Sequence, residues 1–379
     1  MRLQAGNDAV TEQRKMGWKK WAVAGGGFAL GGVVLGVTGG LAAPLIVPTL
    51  AGITGVTFLA TSGGVIMMGT LFGITGGGLA GYKVHRRLRG LKSFTFEQVD
   101  TPARQAGLAI PSLHATICVS GILLREQDQV GVWEEAWGLS SPDTRDVYVV
   151  SSEAQTMMQA GKQLRSFILS SLTKQIGQKA AEEAVKRTAF AALTAVTLPM
   201  TVAGAISTGL DSIFVRAKAK ATKQGLILAD TIKREVQGHR PVTLIGCSLG
   251  GVAIITCLNE LAKGGEDCLH LVDSVYLIGT PSTVGASTLR QARSAVCRRF
   301  VNAYSRKDMV CGIAAWIGLE MSTEDIKAGK FPKVIGANPV VGVPGMENVD
   351  VGDLVDSHFD LCSPEKVAQV CRQIGAMDA

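Results

Sequence analysis

Residues 241 to 251 read Pro-Val-Thr-Leu-Ile-Gly-Cys-Ser-Leu-Gly-Gly, an apolar, β-rich run that ends in Gly246-x-Ser248-x-Gly250 and passes directly into the helical pattern Val252 to Ala262. A serine on a sharp turn between a strand and a helix is the setting of a nucleophile elbow, in which the hydroxyl attacks a carbonyl carbon. The spacing has a steric cause. A strained turn needs residues without bulk two positions before and two after the serine, where backbones pack closely, and Gly246, Gly250 and Gly251 leave that room. A helix beginning at Leu249 would also aim free N–H groups and its positive end at the place where an oxyanion forms. In a chain with 46 glycines the motif alone also fits a tight turn in any α/β protein; the strand before it and the helix after it set this occurrence apart. Ser248 is therefore the expected nucleophile, with its hydroxyl exposed at the turn.

A serine nucleophile needs a base, and the base an orienting acid, in the chain order serine, acid, histidine when the elbow lies between a strand and a helix. The chain has five histidines. His85 sits in the basic run Lys83 to Arg89, His114 and His239 precede the elbow, and His270 lies just before the next strand. His358, in Val-Asp-Ser-His-Phe-Asp, follows the run Glu347 to Val355 and precedes a helix expected over Pro364 to Ile374. A loop between last strand and last helix can present a histidine to the elbow, although a surface loop histidine would read the same way. For the acid, Arg299-Phe-Val-Asn-Ala-Tyr304 reads as a strand and ends in Ser305-Arg306-Lys307-Asp308. An acid just past the carboxyl end of a strand reaches the same rim as the elbow, which selects Asp308. Its rivals are Asp350, Asp353 and Asp356, and an ion pair with Arg306 or Lys307 is the plain alternative. Two backbone N–H groups must face the oxyanion, one from the residue after the nucleophile and one from the loop after an early strand. Leu249 supplies the first. The strand Ala115 to Ser120 ends at Gly121, so Ile122 is the expected second donor, with Leu123 as the neighbour that could replace it.

These residues need an α/β scaffold: a mostly parallel, doubly wound sheet of the α/β-hydrolase kind over residues 93–379. Asp146 to Val150 reads as a further strand. A helical insertion over about 154–238 precedes the nucleophile strand. Within it, residues 154 to 187 are polar and helix-forming, residues 189 to 210 are charge-free and broken by Pro199, and Asp211 to Glu235 is a basic amphipathic pattern. The apolar stretch could pack as a buried helical pair, cover the site, or dip into a membrane.

Residues 1–92 pose a different question. From Trp21 to Tyr82 there is no Asp, Glu, Lys, Arg or His. A membrane span takes about 20 apolar residues, so two spans fit, with Pro44 and Pro48 marking the turn. Glycines recur at helical spacing, as at Gly32, Gly36 and Gly40, then Gly69, Gly73 and Gly77, which lets two helices approach closely. Both flanks are basic, with Arg14, Lys15, Lys19 and Lys20 before and Lys83, Arg86, Arg87, Arg89 and Lys92 after. Positive charge on both sides predicts an even number of spans with both ends cytosolic. A hairpin packed on the soluble part, or only partly in the bilayer, is the alternative. Those basic residues alone exceed the formal net charge of +7. The basic balance thus belongs to the membrane segment and gives no reason to expect nucleic-acid binding. The eight cysteines show no Cys-x-x-Cys and no histidine at metal spacing, and sit singly, several within apolar runs such as those around Cys118, Cys257 and Cys371, as reduced core thiols do. No metal and no cofactor is expected.

Several of these segments together carry a resemblance: Val37 to Pro44, Gly81-Tyr-Lys-Val-His-Arg-Arg87, Pro241 to Gly250, Leu277-Ile-Gly-Thr-Pro281, Val301-Asn-Ala-Tyr-Ser-Arg-Lys-Asp308, Glu347-Asn-Val-Asp350 and Ser357-His358. In this order the chain resembles, over nearly its whole length, the transmembrane and coiled-coil domain-containing family, also known as domain of unknown function 726. The resemblance implies an α/β-hydrolase fold, a membrane-embedded N-terminal part, and lipase or esterase activity, with serine, acid and histidine at Ser248, Asp308 and His358. Animal members carry a long helical region before the membrane segment. This chain starts almost directly at that segment, so no coiled-coil partner function is expected.

The resulting expectation is a membrane-anchored serine hydrolase whose catalytic domain faces the cytosol and cleaves an ester, a glycerolipid by preference because the anchor holds the site at the bilayer. Membrane lipids are the expected partners; no protein partner is assigned. A catalytically silent hydrolase fold serving as a tether or adaptor is the alternative from another class, and a glycine-rich hairpin that assembles into a permeation structure is a third.

Overall fold

In the computed structural model the described residues are 91, 93–99, 114–138, 146–176, 210–235, 237, 240–316 and 333–377. The chain divides into two compact units, Met1–Arg86 and Arg87–Ala379, and every described residue belongs to the second. Among the described residues no helix is long and apolar enough to cross a membrane. The charge-free segment Trp21 to Tyr82 lies outside them, as does the apolar stretch 189 to 210 but for its last residue.

The second unit is an α/β structure. Its strands are β1 (Thr95–Gln98), β2 (Ala115–Val119), β3 (Asp146–Ser151), β4 (Val242–Cys247), β5 (Val272–Ile278), β6 (Phe300–Tyr304) and β7 (Met346–Asp350). They form one seven-stranded sheet in the order β1-β3-β2-β4-β5-β6-β7. All neighbours are parallel except β1, which pairs antiparallel with β3. The central strands β2, β4 and β6 are buried along their whole length, the continuous apolar pattern of a parallel sheet covered on both faces.

The helices are α1 (Asp128–Gly138), α2 (Ala154–Ile176), α3 (Leu210–Lys233), α4 (Leu249–Ala262), α5 (Ala286–Ser294), α6 (Met309–Trp316) and α7 (Pro364–Gln373). α1 and α7 pack on one face: Trp133 and Trp137 of α1 and Val367, Val370 and Cys371 of α7 share a core with Ile245 and Tyr276 of the sheet. α4 packs between α3 and α5 and also contacts β4. α3 is the basic amphipathic segment read from the sequence. It buries Phe214, Ala217, Ala221, Ile227, Leu228 and Ile232 and leads into β4.

This topology fixes where chemistry can occur. The chain passes from β2 to β3 on one side, then returns to place β4 on the other side of β2. Ligands of open α/β sheets bind outside the carboxyl ends of strands where the order reverses, here between β2 and β4. Ser120–Gly121 leaves one of these strands and Ser248 the other.

Candidate functional site

Ser248 is the turn residue between β4 and α4, at φ 56 and ψ −127, a left-handed conformation that a side chain adopts at a cost of roughly 1–3 kcal/mol. The neighbouring glycines show what holds it there. A β-carbon on Gly246 would lie 2.7 Å from the Gly251 nitrogen, one on Gly250 2.0 Å from the Val119 carbonyl oxygen, and one on Gly251 1.9 Å from Thr280 Oγ1. The elbow is thus wedged between the end of β2 and the turn following β5.

Asp308 follows β6. Its Oδ1 accepts from the Cys311 N–H (2.8 Å) in the first turn of α6, and its Oδ2 meets His358 Nδ1 at 2.7 Å. His358 Nε2 meets Ser248 Oγ at 2.7 Å. The tautomer that satisfies both contacts carries its proton on Nδ1 and accepts from the serine hydroxyl at Nε2. His358 opens a short 3₁₀ helix (His358–Cys362). The turn is set by Asp360 Oδ2, which accepts from the Asp356 and Ser357 N–H groups at 2.9 Å each; burial nonetheless holds the Asp360 carboxyl above its ordinary range. The rival acids are engaged elsewhere: Lys307 Nζ pairs with Asp356 (3.2 Å), Asp350 Oδ1 accepts from Gly352 N–H (2.9 Å), and Asp353 is exposed.

One expectation is overturned. The sequence predicts a serine hydroxyl exposed at its turn, but Ser248 is 2% exposed, with His358 and Asp308 at 1% each. The cause is the loop after β2 and the turn after β7, which close over the elbow. Ile122, Leu123, Trp133, Leu361 and Cys362 help to line the cavity that remains beside Ser248, about 10 Å³, roughly the room one water needs.

The loop after β2 lies directly on the elbow. A β-carbon on Gly121 would be 2.3 Å from the Leu249 nitrogen and 2.5 Å from Ser248 Cβ. Leu249 is the first residue of α4, so its N–H has no intrahelical acceptor. Of the two candidates for the second donor, Leu123 gives its N–H to the Met157 carbonyl (3.3 Å), and both line the cavity beside Ser248. Sequence reasoning missed the supports of this loop. Trp133 Nε1 donates to Ser120 Oγ (2.8 Å), which donates to the Gln129 carbonyl (2.7 Å). No local pattern announces those contacts; Trp133 and Trp137, four apart on one helix, read as core.

Asp308, Cys311 and His358 each place a potential ligand atom within 4.8 Å of the others. Both ring nitrogens and both carboxylate oxygens already take part in hydrogen bonds, and burial beside the Asp308 carboxylate pushes the Cys311 thiol up.

Fold and site define an α/β protein in which a serine, a histidine and an aspartate from three separate strand ends form one chain of hydrogen bonds at the carboxyl edge of a parallel sheet. The chain belongs to the family described as "Protein of unknown function (DUF726)", whose model matches residues 16–376. It is 31% identical to the transmembrane and coiled-coil domain-containing protein STS1 of Oryza sativa subsp. japonica, an alignment covering 91% of this chain and 51% of that protein. It is 29% identical to the probable lipase MIL1 of Saccharomyces cerevisiae, over 82% of this chain and 26% of that protein. It is also 31% identical to the uncharacterized membrane protein C6F6.13c of Schizosaccharomyces pombe, over 87% and 55%. The chain thus spans about half or less of the curated relatives it matches. No solved structure matches it.

Proposed function

We propose that this protein is a membrane-associated serine hydrolase of the α/β-hydrolase type that cleaves ester bonds of lipid substrates. The observation that carries the reading is the unbroken chain Ser248 Oγ to His358 Nε2 and His358 Nδ1 to Asp308 Oδ2, 2.7 Å at each link. The positions of the three residues, after β4, after β6 and after β7, follow the order serine, acid, histidine of such enzymes, and the mostly parallel sheet supports the same fold.

In this reading His358 Nε2 takes the Ser248 proton as Oγ attacks the ester carbonyl, and the N–H groups of Leu249 and Ile122 stabilise the tetrahedral oxyanion. The imidazolium then protonates the leaving alkoxide. Water, deprotonated by the same nitrogen, releases the acid and restores the serine. Asp308 holds the tautomer and stabilises the imidazolium. No step uses a metal or a cofactor. Lipid is the favoured substrate class because one relative is named a probable lipase and because the charge-free segment Trp21 to Tyr82 would hold the site at a bilayer. The names of two relatives, a transmembrane and a membrane protein, support membrane association.

The test is a fluorophosphonate probe on the full chain in detergent. Labelling of the wild type that is lost in Ser248→Ala, together with hydrolysis of a short-chain p-nitrophenyl ester, supports the enzyme; a folded wild type that neither labels nor turns over supports a silent fold used as a tether.

A further inference from the structure

The segment Ser120–Leu123, which carries the Ile122 amide, is gripped from two directions. From the strand side, Ser120 Oγ lies between Trp133 Nε1 (2.8 Å) and the Gln129 carbonyl (2.7 Å). The Gln129 side chain in turn brackets Ser152, accepting from its N–H (3.1 Å) and donating to its carbonyl (2.8 Å). From the helix side the grip is through backbone alone. The Leu123 N–H donates to the Met157 carbonyl (3.3 Å) in the first turn of α2. One turn further on, the Leu123 carbonyl oxygen comes so close to α2 that a β-carbon on Gly161 would lie 2.2 Å from it. Met157 and Gly161 are four apart and share a face of the helix.

The start of α2 is itself pinned. Buried Glu153, at φ 54, precedes the helix and accepts from the Met157 N–H (3.1 Å), and its carboxylate meets Lys220 Nζ of α3 at 2.9 Å. A helix anchored in this way cannot retreat, so any atom added at position 161 displaces Leu123.

We propose that Gly161 is a positioning residue for the oxyanion-stabilising amide of Ile122, acting through the Leu123 carbonyl. This rests on the serine-hydrolase reading above. A methyl group at 161 must push Leu123 away by roughly an ångström to reach normal contact, and the adjacent Ile122 N–H moves with it. Stabilisation of a developing charge depends on donor placement at that scale, whereas α2 itself is not weakened, since alanine forms helix better than glycine.

The experiment compares wild type and Gly161→Ala, full chain in detergent, on a p-nitrophenyl ester and with an alkyl trifluoromethyl ketone, whose adduct with a serine carries an oxyanion. The expected result is a kcat lower by about 100-fold with KM nearly unchanged. The inhibition constant of the ketone should rise by the same factor that kcat/KM falls, in a variant that stays folded at the assay temperature although the clash lowers its melting temperature. A merely structural role would lower the melting temperature without weakening the ketone selectively. Unchanged kcat and ketone affinity in a folded Gly161→Ala overturn the proposal while leaving the hydrolase reading intact; an inert, unlabelled wild type removes both. If Gly161→Ala does not fold, the same comparison is made on Ser120→Ala, which frees the other end of the segment: about tenfold weaker ketone binding supports the positioning role, and unchanged binding overturns it.

Discussion

At the scale of single residues, Asp308 does two jobs with two oxygens, one on the Cys311 N–H at the start of α6 and one on the His358 ring. Asp308→Asn separates them. The amide oxygen can still serve the helix, so the fold survives, but the NH₂ now faces Nδ1 and favours the wrong tautomer. Esterase activity should fall on the order of ten-thousandfold, with a circular dichroism spectrum like that of the wild type. Asp353→Asn and Asp356→Asn, whose carboxylates are exposed or paired with Lys307, should keep near-wild-type turnover; loss in either would move the acid to that position. Ser248→Ala should lose at least about a thousandfold, and adding Asp308→Asn or His358→Ala to it should cost nothing more, because the three would act as a unit.

At the scale of elements, the elbow is a joint between three strand ends, and its glycines separate along that line. Gly250 sits against the Val119 carbonyl, 2.0 Å from where a β-carbon would be, and both sides of that contact are rigid backbone. Gly250→Ala should therefore destabilise the domain by about 2 kcal/mol or more, read as a lower denaturation midpoint with an unchanged slope. The strands that carry the candidate site were legible because each is a short apolar run followed by a residue of distinctive type: β2 by Gly121, β4 by the elbow, β6 by Asp308. His358 followed by elimination among five histidines. β1 was not legible. Thr-Phe-Glu-Gln is four residues long and half-exposed on an edge, so it carries no buried face from which to read a period. The burial of Ser248 was equally hidden, since it is made by residues such as Gly121 and Leu361, more than 100 positions away in the chain. The contact of Gly161 with Leu123 is of the same kind.

At the scale of the molecule, the charge-free segment Trp21 to Tyr82 and the described domain make a separable pair of claims. Deleting residues 1 to 92 should convert the protein from a carbonate-resistant membrane pellet to a more soluble form. If the deletion stays in the pellet, the apolar stretch 189 to 210 is embedded as well. Tags at the two termini of the full chain should be equally accessible to protease in sealed vesicles, since one protected terminus would mean an odd number of crossings. The cavity beside Ser248 adds a kinetic demand. About 10 Å³ is room for a water and less than an acyl group needs, so on the hydrolase reading a substrate enters only when the loop after β2 and the turn after β7 part. Such a motion is a clock that runs independently of what waits outside. Covalent labelling by a bulky fluorophosphonate should accordingly saturate as its concentration rises, levelling off at a rate shared by chemically different bulky probes. The frequency with which the door opens, rather than the reactivity of the serine behind it, would then set how fast this protein can meet a lipid.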